Sequence, residues 1–224
     1  MVAWYMKKND IPGKVIILNP TAKLRAKHAG FMNSYAKYYK DTIQVEFNTA
    51  IHDVDVDKKV ITYMQDGMKK TVKYEACTLN PTNKAGALTT MAGIETKPGG
   101  WALLEEPSFQ SVSDDRVYVV GDAQGQYKYP PSGYMANSCA KVMAGHIAER
   151  ISGKEADLTK EMPNNICFSM VNGDPKTGIM VTHTVKYDEV EGIKVSAKAT
   201  STPDESTGRA TVEWFDGIMR DLFS

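Results

Sequence analysis

Apolar residues at the start of the chain follow first a helical and then a strand-like pattern. Residues 2–8 are typical of the end of a helix, which the turn-forming residues 9–13 interrupt. Residues 14–18 contain a short continuous apolar run, the pattern of a buried parallel strand. A helix followed by such a strand is half of a βαβ unit, because parallel strands are joined by a crossover. We therefore expect a strand before residue 2, so that the chain begins inside a domain.

The next stretch combines one polar helix with a series of alternating segments. The helix is predicted over residues 29–39. Polar and apolar residues then alternate around an Asp-Gly turn, in residues 43–47, 50–56, 59–64 and 71–74. This alternation predicts a β-meander. The loop over residues 79–86, rich in turn-forming residues, is the first expected crossing between domains.

The most informative stretch covers residues 117–151. Apolar residues 117–120 predict a buried strand, and Gly121, Asp122 and Ala123 close it. A proline-rich loop follows, and a long helix is predicted over residues 133–151. The apolar residues at helical spacing, which predict its buried side, are Cys139, Val142, Met143, Ile147 and Ile151.

Short strand-like pieces and a final helix make up the remainder. The predicted strands are residues 167–171, 179–187 and 193–197, which turn residues separate. The last helix, residues 211–223, is amphipathic. Its predicted apolar side consists of Val212, Phe215, Met219 and Leu222.

Charge and composition narrow the classes of function. The 27 basic residues balance 27 acidic ones, so no overall field attracts nucleic acid, and we expect no nucleic-acid partner. Apolar runs fall far short of the roughly twenty residues that a spanning helix needs, which predicts no membrane span. The 4 histidines are scattered without ligand spacing, which predicts no metal site. The 3 cysteines are too few for a disulfide framework.

The junction at Gly121 and Asp122 has the chemistry of a polar ligand site. Glycine lets a ligand approach the backbone where a strand ends, and a carboxylate can accept hydrogen bonds from ligand hydroxyls. The following helix start offers N–H groups to negative charge. A ribityl chain and a reduced flavin ring require these features. Gly-Asp also serves as an ordinary strand-ending turn, so the pattern by itself leaves both interpretations open.

Five segments, in order, extend this pattern along nearly the whole chain. They are residues 80–86, 117–123, 132–138, 167–169 and 214–215. Together they resemble the flavoprotein subunit of flavocytochrome c sulfide dehydrogenase, with the Ser-Gly-Tyr-Met-Ala-Asn-Ser run as the most specific element. The resemblance implies an α/β fold, a truncated flavoprotein of the disulfide-reductase type with two dinucleotide-binding domains and a C-terminal α+β interface domain.

The resemblance also implies a set of site residues. Cofactor-binding positions would be Gly121, Asp122, Ala123, Ser132, Gly133, Tyr134 and Trp214. Within this set, Asp122 would hold the FAD ribityl chain, Gly133 and Tyr134 would open the helix aimed at the flavin, and Trp214 would pack near the ring. Cys167 would be the catalytic residue, half of a redox-active disulfide that hydrosulfide attacks. Without the resemblance, a small cysteine at a strand position such as Cys167 is more often an inert core residue, and Trp214 is equally compatible with simple packing. Cys77 and Cys139 are interpreted as packing residues.

Three domains follow from the same comparison. Residues 1–78 would be the remainder of an NAD(H)-like middle domain, residues 79–153 the C-terminal return of the FAD-binding domain, and residues 154–224 a domain that covers the flavin and faces the cytochrome. A Gly-x-Gly-x-x-Gly turn for the pyrophosphate is absent from the sequence. In the family this turn, the cysteine that tethers FAD and the partner of Cys167 lie upstream of the position that matches Met1.

We expect different functions for the intact parent protein and for this chain by itself. The parent would oxidise sulfide with FAD and pass electrons to a c-type cytochrome subunit in the periplasm. FAD would be absent from this chain or weakly held, the chain by itself would be inactive, and its exposed flavin-facing surface would favour self-association. Alternatives are a sulfide:quinone oxidoreductase-like flavoprotein, a non-catalytic interaction module and, third, an NADH-dependent disulfide reductase.

Overall fold

The computed structural model describes residues 1–125, 129–155 and 157–223, as a mixed α/β chain with small sheets. The described residues fall into two compact units. The first unit comprises Met1–Asn80, Phe168–Met180 and Ala199–Ser224, and the second comprises Pro81–Cys167 and Val181–Lys198. The boundaries predicted after residues 78 and 153 stay predictions.

The first unit opens with a βαβ arrangement. Its elements are helix α1 (Val2–Lys8), strand β1 (Val15–Leu18), helix α2 (His28–Tyr38) and strand β2 (Ile43–Glu46). β1 and β2 pair in parallel, with Val15 opposite Ile43. Assigning residues 43–47 to the meander was therefore wrong. Because α2 returns the chain to the edge where β1 began, β2 runs in the same direction as β1.

The meander consists of the next three strands. They are β3 (Thr49–Asp55), β4 (Val60–Gln65) and β5 (Met68–Lys73), which form an antiparallel sheet in the order β3-β4-β5. Asp66 and Gly67 connect β4 to β5 with φ angles of 51° and 76°. Two positive φ angles characterise the type I′ turn, which Asp-Gly favours. The prediction of a meander is confirmed for these three strands.

The second unit begins with short elements. They are helix α3 (Leu88–Met91) and strands β6 (Thr96–Lys97), β7 (Trp101–Ala102), β8 (Gln110–Ser111) and β9 (Asp114–Tyr118). β6 pairs with β7, and β8 pairs with β9, both antiparallel. The buried strand predicted over residues 117–120 is therefore corrected: β9 ends at Tyr118, and residues 117–120 are half-buried. A strand in a two-stranded sheet has one neighbouring strand, so less of its surface is covered than in a large sheet.

Helix α4 (Gly133–Ile151) confirms the predicted long helix, but its buried side differs from the prediction. The buried residues are Met135, Cys139 and His146, whereas Ile151 is 81% exposed. Because Ile151 lies at the last residue of the helix, helical spacing alone cannot ensure that a neighbour covers it. The core around this helix consists of Phe109, Tyr129, Met135, Cys139, Val185 and Ile193.

The C-terminal part contains a sheet and a long helix. Strands β10 (Asn164–Gly173), β11 (Lys176–Asp188) and β12 (Gly192–Ala199) form the sheet in that order, and helix α5 (Glu205–Phe223) follows. All four predicted elements are confirmed, and each is longer than predicted. The predicted apolar side of α5 is largely exposed, since Phe215 and Leu222 are 55% and 61% exposed. Among the described helices, none combines the length and apolar character needed to cross a membrane.

Candidate functional site

The Gly-Asp-Ala segment forms a short 3₁₀ helix, Gly121–Gln124, shortly after β9. Gly121 has a φ of +73°, in the left-handed region where glycine is favoured. This segment packs against α4, and a Cβ at Gly121 would lie 3.5 Å from the Cβ of Ala136. The side chain of Asp122 is exposed. Its carboxylate is therefore accessible to a ligand, next to the helix that follows.

The start of α4 is capped by its own sequence. Ser132 has an extended backbone, and its Oγ accepts a hydrogen bond of 3.1 Å from the N–H of Met135. This is the N-cap arrangement that serine favours. The N–H of Gly133, in the first turn, has no carbonyl partner inside the helix, and Gly133 is exposed. The helix start therefore offers an open position to an acceptor group.

A buried asparagine joins this helix start to the C-terminal sheet. Asn165, in β10, is 1% exposed, and its Oδ1 accepts a 2.5 Å hydrogen bond from the hydroxyl of Ser132. Its Nδ2 lies 2.8 Å from Nδ1 of His183 in β11. A second link runs from the N–H of Asn164 to the Oγ of Ser138 at 3.0 Å. Two successive residues of β10 are thus fixed to α4.

Cys167 lies on the same strand, two residues after Asn165, and is half-buried. Side chains at positions i and i+2 of a strand point to the same face. The thiol therefore lies on the face of β10 from which Asn165 reaches the start of α4. Asp122, Ser132, Gly133, Tyr134 and Cys167 all belong to the second compact unit.

Trp214 belongs to the first compact unit, on α5, where it is half-buried. Its ring centroid lies 6.3 Å from that of Phe168, with an angle of 40° between the ring planes. This tilted pair is a favourable aromatic contact. The structure thus gives Trp214 a packing role, and its proposed place beside a flavin stays a prediction.

The other two cysteines differ from each other. Cys139 is fully buried, and burial raises the pKa of its thiol to about 11, against a small opposing effect of the Gln124 amide at 4.0 Å. Its interpretation as a packing residue is confirmed. Cys77 is exposed, so the same interpretation was wrong for Cys77. It follows β5 in a stretch where neighbouring residues are also exposed.

Two surface concavities contain none of the predicted site residues. One of 640 Å³ is lined by Glu105, Gln110, Ser111, Val112, Ser113, Asp114, Asp115 and Arg116. There, hydrogen bonds from Arg116 lower the pKa of Asp114 to about 2. The other, of 370 Å³, lies in the first unit, where Lys7 donates to the carbonyl of Tyr38 at the end of α2. These charged side chains bind neighbouring protein groups, so neither concavity replaces the site at α4.

Sequence reasoning missed Asn165 and His183. The predicted strand began at residue 167, whereas β10 begins at Asn164, so Asn165 was not placed on the face of Cys167. His183 carried no signal in the sequence, because its contact with Asn165 spans two strands. His146 was likewise unexpected as a buried residue, since it interrupts the apolar stripe of α4.

No protein-family profile matches the chain. Among solved structures, a chain of the mitochondrial ATP synthase of Tetrahymena thermophila is similar, with a TM-score of 0.55 and 15% identity, covering 80% of this chain and 43% of that one. The flavoprotein disulfide reductase RclA from Escherichia coli is also similar, with a TM-score of 0.53 and 12% identity, covering 76% of this chain and 37% of RclA. The chain thus spans about two fifths of each.

At these identities the likeness concerns the fold alone. The chain shares the fold of part of a flavoprotein disulfide reductase, and this supports the coarser part of the predicted class. The finer family and the activity are matters of proposal.

Proposed function

We propose that this chain is part of a flavin-dependent sulfide dehydrogenase, an oxidoreductase in which Cys167 is one of two redox cysteines. One observation carries the proposal. The hydrogen bond of 2.5 Å between Ser132 and Asn165 joins the start of α4 to the strand that bears Cys167. A thiol and a helix start on one side of one compact unit are what a cysteine-and-flavin site requires.

The residues at this site fit FAD, the cofactor of the proposed class. The exposed Asp122 carboxylate could accept hydrogen bonds from ribityl hydroxyls. The N–H groups of Gly133 and Tyr134 open a helix whose dipole favours negative charge. FAD would supply a two-electron acceptor. The chain by itself would hold it weakly, because it has no glycine-rich pyrophosphate turn.

Cys167 would act through thiol–disulfide chemistry. In the oxidised protein it would be joined to a second cysteine, which the resemblance places N-terminal to Val2. Hydrosulfide attacks one sulfur of this disulfide, so a new S–S bond forms as the old one breaks, leaving a cysteine persulfide and a cysteine thiolate. The two electrons that sulfide loses stay on the thiolate until they pass to the flavin. A half-buried position keeps the sulfur accessible to so small a nucleophile.

The electron acceptor and the location follow from the same proposal. Electrons would pass to a c-type cytochrome subunit, and such a pair would work in the periplasm. These two statements rest on the resemblance of the five ordered segments to the sulfide dehydrogenase subunit.

The direct test is reduction of the flavin by sulfide. We expect anaerobic sulfide to bleach the absorption of oxidised FAD in the flavin-loaded protein, and the Cys167→Ser variant to lose this reaction while keeping its flavin. Cys77→Ser is the matched control, because Cys77 is exposed and distant in sequence from the site residues. Reduction of the Cys167→Ser variant at the wild-type rate would contradict the role of Cys167.

Two further assays separate the alternatives. A sulfide:quinone oxidoreductase would pass electrons to a soluble quinone faster than to cytochrome c. An interaction module would remain colourless after incubation with FAD and would show no change in unfolding temperature. Stoichiometric flavin in the purified protein would argue against the module.

A further inference from the structure

The hydrogen bonds around Asn165 form a chain whose direction follows from the orientation of its amide. The 2.5 Å contact joins the Oγ of Ser132 to the Oδ1 of Asn165. An amide oxygen carries no hydrogen, so the serine hydroxyl must be the donor. The same Oγ accepts from the N–H of Met135 at 3.1 Å, so both roles of the hydroxyl are used. The structure places the amide oxygen toward Ser132, where it accepts from the hydroxyl.

The other end of the amide then fixes the state of a histidine. With its oxygen toward Ser132, Asn165 presents its NH₂ group to Nδ1 of His183 at 2.8 Å. An NH₂ group only donates, so Nδ1 must accept and cannot carry a hydrogen. A neutral imidazole with a bare Nδ1 has its proton on Nε2. The polarity runs from the Met135 N–H, through Ser132 and Asn165, to His183.

We infer that Asn165 is a positioning residue of the proposed site: its amide orders the hydroxyl at the first turn of α4 and holds His183 in the tautomer protonated at Nε2. The assignment of the tautomer is independent of any ligand. The role toward the site at the start of α4 rests on the proposed function, because Gly133 and Tyr134 follow Ser132 directly. Asn165 acts through Ser132 and His183 and needs no contact with a substrate.

Burial shows why an asparagine at this position controls its neighbours. Asn165 is 1% exposed, so water cannot replace a lost partner. A buried amide pointing the wrong way would leave the Ser132 hydroxyl without an acceptor and would place the amide oxygen against the bare Nδ1 of His183, two acceptors with no hydrogen between them. The amide is therefore held in one orientation by both neighbours. A leucine of similar size would fill the space, but it would fix neither the hydroxyl of Ser132 nor the tautomer of His183.

The test is the tautomer of His183, read from the ring nitrogen shifts in long-range proton–nitrogen NMR spectra. The chain has 4 histidines, so the ring signals can be assigned with a His183→Gln variant. His28 supplies an internal reference, because its Nδ1 accepts from the backbone N–H of Leu24 at 3.2 Å and must also be bare. We expect His183 and His28 to show the same pattern above the pH at which either ring becomes protonated.

Two substitutions of Asn165 distinguish positioning from packing. In Asn165→Asp, the introduced carboxylate can only accept, so Nδ1 of His183 should become protonated while the signals of His28 stay unchanged. In Asn165→Leu, the donor to Nδ1 is lost, so the share of His183 protonated at Nε2 should fall. A wild-type His183 with a protonated Nδ1, or an Asn165→Asp variant with a bare Nδ1, would overturn the inference.

Flavin affinity tests the role toward the site separately. We expect Asn165→Leu to weaken FAD binding about tenfold, since one ordering hydrogen bond at the helix start is lost. Equal FAD affinity in the wild type and in this variant would overturn the positioning role. If the wild type binds no FAD, the proposed function fails, and the tautomer result by itself decides the inference.

Discussion

Burial distinguishes the thiols of Cys139 and Cys167, although both occupy regular elements of the second unit. Cys139 lies in a core with Phe109 and Tyr129, where burial removes a thiolate from the solvent that would stabilise it. Its pKa is accordingly raised to about 11, mainly by burial. Cys167 is half-buried on β10. Of the two, Cys167 is the more exposed residue.

The raised pKa of Cys139 predicts a specific loss of stability in alkali. In the unfolded chain the thiol ionises near its ordinary pKa of 9.0, whereas in the folded chain it ionises near 11. The contribution of the buried thiol to the free energy of unfolding is therefore fully present below pH 9 and is lost as the pH rises through 11. We expect this loss to reach about 2 kcal/mol of unfolding free energy by pH 11, measured by urea denaturation at a series of pH values.

Cys139→Ser is the control, because a serine hydroxyl does not ionise in this range. Tyrosines such as Tyr39, whose pKa burial raises to about 12, titrate in both proteins and so cancel from the comparison. The difference in unfolding free energy between wild type and variant should therefore shrink between pH 9 and pH 11. A difference that stays constant would show that the thiol is not desolvated as the structure indicates.

At the scale of elements, helix α5 has a capped N-terminus and one very close contact with the start of β11. Asp204 precedes the helix, and its carboxylate accepts from the N–H of Thr207 at 2.7 Å, the N-cap role that aspartate favours. One turn into the helix, Gly208 lies against the start of β11. A Cβ at this position would come within 2.7 Å of the carbonyl carbon of Lys176. Glycine is therefore required by packing here.

Two glycines of α5 give a matched pair of substitutions. We expect Gly208→Ala to lower the free energy of unfolding by about 1–3 kcal/mol, because the added methyl group collides with backbone. Gly217→Ala should raise it by about 0.5–1 kcal/mol, because no atom lies within 4 Å of the new Cβ and alanine favours the helix. Denaturant unfolding of both variants measures these changes. A destabilising Gly217→Ala would mean that this side of α5 is covered.

At the scale of the whole molecule, the C-terminal half of α5 is one place where several large apolar side chains are exposed. Phe215, Leu222 and Phe223 are 55%, 61% and 76% exposed. Several large apolar residues on one face are more than the single exposed residues that a monomer normally tolerates. The expectation of self-association, first derived from the sequence, thus has a specific surface to which it can be assigned.

This surface predicts association that depends on concentration. We expect light scattering to show a dimer or larger species at high protein concentration, and a Phe215→Lys, Leu222→Lys double variant to shift it toward the monomer. Val190→Lys is the control, because Val190 is 93% exposed but lies in the turn between β11 and β12. A monomeric wild type at high concentration would count against the prediction.

The sequence by itself determined which elements exist. Apolar spacing predicted α1, α4 and α5, and the Asp66-Gly67 pair predicted a tight hairpin in the meander, because these signals depend on neighbouring residues. The start of α4 was equally readable, since Ser132 caps a helix through its own nearby backbone. The resemblance in five ordered segments led to the flavoprotein fold class, whose coarser form the likeness to RclA supports.

Only the tertiary structure decided which elements meet. β2 pairs in parallel with β1 across the α2 helix, and Ser132 binds Asn165 although 33 residues separate them. Ile151 has the right spacing for burial but remains exposed, because no neighbour covers the end of its helix. The spacing of apolar residues shows which side of a helix or strand is suited to burial. Strand pairing and burial depend on a second element that is distant in sequence. The polar chain from Ser132 to His183 could therefore emerge only from the folded chain.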